Sequence, residues 1–107
     1  MSDSSTTGAV TVSDNPEAGR YEAYIDGTLA GVAQYIRTHE LVAFVHTEVE
    51  PAFEGRGVGG SLVRTSLDAA RAQGLAVLAV CPFYTGWIAR HPDYQDLLYT
   101  KKSSVSD

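Results

Sequence analysis

Apolar and polar residues alternate through Tyr21-Glu22-Ala23-Tyr24-Ile25, the pattern of a half-buried strand. Asp26-Gly27 follows, and a type I′ turn, with φ > 0 at both central positions, favours this dipeptide. Residues 29–37 read as a second strand, Thr38-His39-Glu40 as a turn, and residues 41–50 as a third strand. Together they predict an antiparallel meander. Simple alternation puts Leu41, Ala43, Val45, Thr47 and Val49 on one face of the third strand, with Thr47 the one polar member. Val42, Phe44, His46, Glu48 and Glu50 take the other face, which turns from apolar to ionisable along its length.

The period then changes. Residues 57–73 form an amphipathic helix with Val63, Leu67 and Ala70 on one stripe and Leu62 beside it. Arg64, Asp68 and Arg71 occupy the opposite face at spacings that allow pairing, and Gly74 suits the helix end. Residues 75–80 are a continuous apolar run, expected of a strand buried on both faces. Strand, helix and strand make a βαβ unit, so residues 41–50 and 75–80 should run parallel. Cys81-Pro82 ends the last strand in an extended conformation and opens a short C-terminal helix over residues 83–90. His91-Pro92 stops that helix, and residues 94–99 add a short edge strand. The fold class is α/β: one domain over residues 16–100. Residues 1–15, Ser/Thr-rich with little apolar content, are expected to be a disordered tail, and residues 101–107 a loose one.

Between the third strand and the helix lies the segment with the clearest chemistry. It reads Glu50-Pro51-Ala52-Phe53-Glu54-Gly55-Arg56-Gly57-Val58-Gly59-Gly60. Glycines bring bare backbone N–H groups close to an anion, and the helix N-terminus adds partial positive charge. Such a turn suits a phosphate or pyrophosphate, and hence a nucleotide-like cofactor. Gly55, Gly57 and Gly60 also satisfy Gly-x-Gly-x-x-Gly literally. That fingerprint, however, follows the first strand of a parallel domain and needs an acidic residue about 20 positions on. Here a meander precedes it, and the region around Val77 and Val80 has no acid. A P-loop is excluded, because no Gly-Lys-Ser/Thr is present.

Composition narrows the partners. With 107 residues and 44% hydrophobic content, the chain supports one ordinary core. The formal net charge of −5 argues against nonspecific nucleic-acid binding but leaves room for one locally held anion. No apolar run reaches membrane-spanning length, and the N-terminal residues do not read as a signal peptide, so a soluble, cytoplasmic protein is expected. Cys81 is the single cysteine and the three histidines are widely spaced, so no disulfide and no metal site is expected.

The meander, the glycine turn and the βαβ unit resemble the GNAT acetyltransferase superfamily. Its motif, Gln/Arg-x-x-Gly-x-Gly/Ala, is matched by Glu54-Gly55-Arg56-Gly57-Val58-Gly59. Glu54 replaces the usual Gln or Arg, and Arg56 supplies a positive charge nearby. The chain more closely resembles a compact single-domain GNAT subgroup. The marks are His46-Thr47-Glu48-Val49, Cys81-Pro82-Phe83-Tyr84 and His91-Pro92-Asp93-Tyr94, and the resemblance covers about residues 20–99. It implies a minimal GNAT fold binding acetyl-CoA. Backbone N–H groups from Gly55 to Gly60 hold the pyrophosphate, and an N–H near Val49 polarises the thioester carbonyl.

The reaction so implied is acetyl transfer to a small-molecule or protein amine. Either Glu48 or His46 is the base, the alternative being a structural His–Glu pair. Cys81, expected across from that pair, is either a nucleophile that takes the acetyl group or a small buried residue lining the pocket. Tyr84 is either the acid that protonates the leaving thiolate or a packing residue. Asp26-Gly27 joins the first two strands directly, where larger GNAT enzymes place the helices that wall the acceptor site. A non-catalytic acyl-CoA binding or sensing module is therefore the competing function. The assembly expected is a monomer or a homodimer, with no nucleic acid and no membrane.

Overall fold

A computed structural model describes residues 9–99. Five strands form one sheet in the order β1-β2-β3-β4-β5. They are β1 (Val10–Asn15), β2 (Arg20–Ile25), β3 (Thr28–Arg37), β4 (Leu41–Val49) and β5 (Ala76–Ala79). The first four are antiparallel, and β5 joins β4 in parallel. The sheet belongs to an α/β fold with an antiparallel meander, a βαβ unit and a short C-terminal helix, as the sequence pattern indicates. Helix α1 (Val58–Gln73) makes the crossover, and α2 (Pro82–Ala89) follows β5. The β2–β3 turn has Asp26 at φ 52° and Gly27 at φ 81°, as a type I′ turn requires.

Both helices pack on one face of the sheet. Leu62, Val63 and Leu67 of α1 are fully buried against Phe44, Ala23 and Ala33. Each such side chain contributes roughly 1.5–3 kcal/mol by leaving water. Helix α1 approaches the sheet closely at Gly31. A Cβ there would meet the Glu48 carbonyl oxygen at 2.8 Å and Val58 Cγ1 at 2.9 Å. The polar groups inside this layer are satisfied: Ser66 donates to the Val63 carbonyl and lies 2.7 Å from the Tyr84 hydroxyl.

Three expectations are corrected. Residues 10–15, expected to be part of a disordered tail, form β1. Val10 pairs with Ile25 and Val12 with Ala23, and both valines pack against the core. Two inward valines suffice for an edge strand, so average composition concealed it; residues 1–8 of that expected tail lie outside the described residues, as do 101–107. Residues 94–99 are not a strand. Pro92–Leu97 is a 3-10 helix, and only Leu98 bridges to Val77.

The 75–80 run is not buried on both faces, because among the described residues no helix covers the second face: Leu78 is 40% and Val80 55% exposed. Arg64, Asp68 and Arg71 are exposed, as a solvated helix face would be, but they also reach outside the helix. Arg71 bonds Asp96 at 3.0 and 3.1 Å, and Tyr94 donates to Asp68 at 2.8 Å, tying α1 to the C-terminal 3-10 helix.

Candidate functional site

The site is set by the way β4 and β5 part. Their pairing ends at Phe44 and Ala79. Both Val80 and Cys81 then donate backbone N–H bonds to the Phe44 carbonyl, at 3.1 and 2.9 Å. Beyond Phe44, β4 keeps only its β3 partner. The Glu50 N–H reaches the Ala30 carbonyl on the β3 side at 2.8 Å. Alternation along the strand therefore turns the Val49 N–H to the opposite, unpaired edge. An extended polar ligand arm can be held there by strand-like hydrogen bonds.

A bulge decides which side chains meet at this point. Gln34 pairs with His46, while the next residue, Tyr35, pairs with Phe44. Val45 is left without a partner, and the alternation of β4 shifts by one. Phe44, Thr47 and Val49 consequently share the helix-covered face, through their partners Tyr35, Ala33 and Gly31. His46 and Glu48 point to the helix-free face, paired with Gln34 and Val32. This corrects the simple alternation, which grouped Phe44 with His46 and Glu48. A one-residue slip moves every following side chain to the other face.

Cys81 accordingly meets Thr47, not the His–Glu pair. The Thr47 hydroxyl lies 3.4 Å from the Cys81 sulfur. Cys81 caps the start of α2 in an extended conformation, with φ −72° and ψ 128°. Its side chain is 5% exposed. Burial pushes the thiol up, but the Thr47 hydroxyl and the backbone N–H groups of Tyr84, Phe83 and Thr47 outweigh it and hold it below the ordinary range. His46 takes no part in this. Its Nε2 lies 3.6 Å from a Glu48 carboxylate oxygen, and both side chains are well exposed.

Tyr84 is placed in the core. Its ring stacks on Phe44 with centroids 4.3 Å apart, and its hydroxyl is engaged by Ser66. Burial pushes its pKa far up. This placement buries the phenol and engages its hydroxyl within the core. His91 is likewise structural: its Nδ1 lies 2.7 Å from the Trp87 carbonyl, and its ring stacks on Trp87 at 3.7 Å.

The glycine turn has the form an anion needs. Gly55 and Gly57 adopt φ values of 84° and 81°, and nothing lies within 4 Å of a Cβ built at either. The N–H groups of Val58, Gly59 and Gly60 open α1 and have no intrahelical acceptor. The Val58 side chain is buried, so only its backbone faces the turn. Gly59 has a second reason to be glycine, since a Cβ would lie 2.7 Å from the Phe83 ring. Arg56 is exposed, with its guanidinium 5.9 Å from the Phe53 ring centroid. A cleft of about 600 Å3 lies elsewhere, on the far side of β5 between Leu78, Thr85, Ile88 and Tyr99. The sequence reading missed Thr47 as a partner of Cys81. Its signal was being the one polar residue among apolar neighbours.

Comparison with known proteins bears on the fold and the family. Residues 20–97 match the model of the GCN5-related N-acetyl-transferase family. The chain belongs to that family. Among solved structures, a protein described as a GCN5-like N-acetyltransferase from Staphylococcus aureus superposes with a TM-score of 0.63 at 21% identity, covering 83% of this chain and 87% of its own. Rv2747 from Mycobacterium tuberculosis, solved in complex with CoA and NLQ, gives 0.57 at 25% identity over 83% of this chain and 60% of its own. Ard1 from Thermoplasma volcanium gives 0.55 at 20% identity over 75% and 55%. The chain thus spans little more than half the length of these last two. No curated protein matches the chain. Fold and family together support acyl-CoA-dependent acetyl transfer. No helix among the described residues is long and apolar enough to cross a membrane, and no group of metal-ligating side chains occurs among them.

Proposed function

We propose that this GNAT domain binds acetyl-CoA and transfers the acetyl group to an amine by way of Cys81. The observation that carries the reading is the Cys81 sulfur, held at the parting of β4 and β5 with its thiol below the ordinary range. The open glycine turn fits a pyrophosphate: the N–H groups of Gly55, Gly57, Val58, Gly59 and Gly60 would hold it, with Arg56 alongside. The CoA complex of Rv2747 supports the choice of cofactor. The unpaired edge of β4 would hold the pantetheine arm, and the Val49 N–H would polarise the thioester carbonyl. When bound, acetyl-CoA supplies an activated acyl group.

The Cys81 thiolate would attack that acyl carbon: a bond would form to Sγ, the bond to the CoA sulfur would break, and the proton given up by Cys81 would end on the CoA thiol. In the second half, an amine attacks the acetyl-cysteine, the C–S bond breaks, and Cys81 returns as a thiolate. Glu48, on the helix-free face, would take the proton from the incoming amine through water in the gap between β4 and β5, with His46 beside it. Among the described residues no helix covers that face, and the gap where β4 and β5 part would let a small amine or a protein amine reach the acetyl group from there. The same openness favours the second reading, a non-catalytic acyl-CoA binding module. Cytoplasmic placement and a monomeric or dimeric state remain part of this proposal.

The test is the intact mass of the protein after incubation with acetyl-CoA, beside Cys81→Ala and a calorimetric titration. A Cys81-dependent gain of one acetyl group, lost on adding an acceptor amine, is expected. Binding without a gain overturns the covalent route, and absence of binding overturns the cofactor assignment.

A further inference from the structure

Cys81 is reached by a side chain that no catalytic role has yet used. Thr47 stands two residues past the Val45 bulge, on the helix-covered face, because Ala33 and not Gln34 is its cross-strand partner. Without that bulge the alternation of β4 would turn His46 to this face and Thr47 away from it. With it, a neutral hydroxyl 3.4 Å away meets the sulfur. Thr47 also stands where β4 loses its β5 partner, so its neighbours along the strand present unpaired backbone to a ligand arm.

We propose that Thr47 is a positioning residue for Cys81, its hydroxyl fixing the sulfur against the unpaired edge of β4 and donating a hydrogen bond to the thiolate. The inference rests on the proposed route through Cys81. Four donors converge there: the Thr47 hydroxyl, the Thr47 N–H, and the N–H groups of Phe83 and Tyr84 at the opening of α2. Only the first depends on a side chain, and only it can be removed without touching the backbone. The other groups facing the sulfur bring no charge. Tyr84 from α2 is neutral, since burial raises its pKa, and His46 and Glu48 of β4 lie on the opposite face. A threonine serves where a histidine would itself titrate and would place a cation beside the thioester.

The chain holds one cysteine, so ultraviolet thiolate absorbance followed against pH reports Cys81 alone. Replacing the hydroxyl by a methyl, in Thr47→Val, is expected to raise the titration midpoint by about 1 pH unit, as loss of a hydrogen bond to a charged group implies. Thr47→Ser is expected to restore the wild-type midpoint. Thr47→Ala repeats the deletion in case valine perturbs packing. A midpoint that does not move in either deletion, or one that serine does not restore, overturns the inference. No cofactor enters this measurement, so it fails independently of the proposed function. A Thr47-dependent midpoint in a protein that gains no acetyl group upholds Thr47 and overturns the covalent route. An unchanged midpoint in a protein that does gain one gives the reverse.

Discussion

The ring of Phe44 lies parallel to that of Tyr84, with an interplanar angle of 8° and 4.3 Å between centroids. Phe44 also supplies the carbonyl that receives the N–H groups of Val80 and Cys81. One residue of β4 therefore fixes both the end of β5 and the first turn of α2. The cysteine between them has little freedom left. Offset or parallel aromatic contact of this kind contributes about 1 kcal/mol beyond area burial.

This stack gives Tyr84 a packing role, and Tyr84→Phe separates structure from chemistry. The ring stays, and the hydrogen bond with Ser66 is lost. Stability in urea is expected to fall by about 1 kcal/mol. The rate of acetyl transfer to an amine is expected to stay within about threefold of wild type, where loss of a general acid would cost about a hundredfold or more. A loss of the latter size would return the phenol to the reaction.

Gly31 sets how closely α1 meets the sheet. In Gly31→Ala the new methyl would fall 2.8 Å from the Glu48 carbonyl oxygen and 3.3 Å from Leu62 Cδ1. The backbone atom cannot give way as a side-chain tip would. Destabilisation of roughly 1–3 kcal/mol is expected. Equilibrium unfolding of the variant is the check, and wild-type stability would refute the close approach.

Glu22 predicts a pH dependence. Although only 7% exposed, it sits on the helix-free face. Its carboxylate accepts from Arg20 Nε at 2.8 Å, Tyr24 Oη at 3.0 Å and Asn15 Nδ2 at 3.1 Å. These bonds, that of Arg20 foremost, hold its pKa below the usual carboxylate range. Folding therefore favours the ionised form. Its contribution is complete above the ordinary glutamate pKa and is lost as pH falls through the lower, folded value. The stability difference between wild type and Glu22→Gln should be about 1 kcal/mol at neutral pH. It should vanish in acid, and a difference independent of pH would contradict this account.

Because Glu48 and Cys81 lie on opposite faces of β4, the two half-reactions should separate. Glu48→Gln is expected to acquire its acetyl group at a rate within about threefold of wild type. Transfer from the acetylated protein to an amine should slow by about a hundredfold or more, the usual size of a lost general base. Rapid mass analysis of both steps is the measurement. Unimpaired transfer would remove Glu48 as the base and direct the same test to His46.

Local signals in the sequence were enough for the order of β2 to β5 and the two helices. Asp26-Gly27 can close a tight hairpin on its own, and the 3.6-residue stripe of Val63, Leu67 and Ala70 marks a helix wherever it packs. The glycine turn was equally legible, because it depends on backbone that only glycine adopts readily. By itself the sequence thus determined the fold class and the family. Tertiary structure decided the rest. The bulge at Val45 exists only as a mismatch between two paired strands, and no property of Val45 announces it. It moved Thr47 to Cys81 and sent His46 and Glu48 to the other face. Strand β1 depends in the same way on the edge that β2 offers it, and the exposure of Leu78 on there being no helix over its face. Alternation assigns faces only while the register holds, and register is a property of strand pairs.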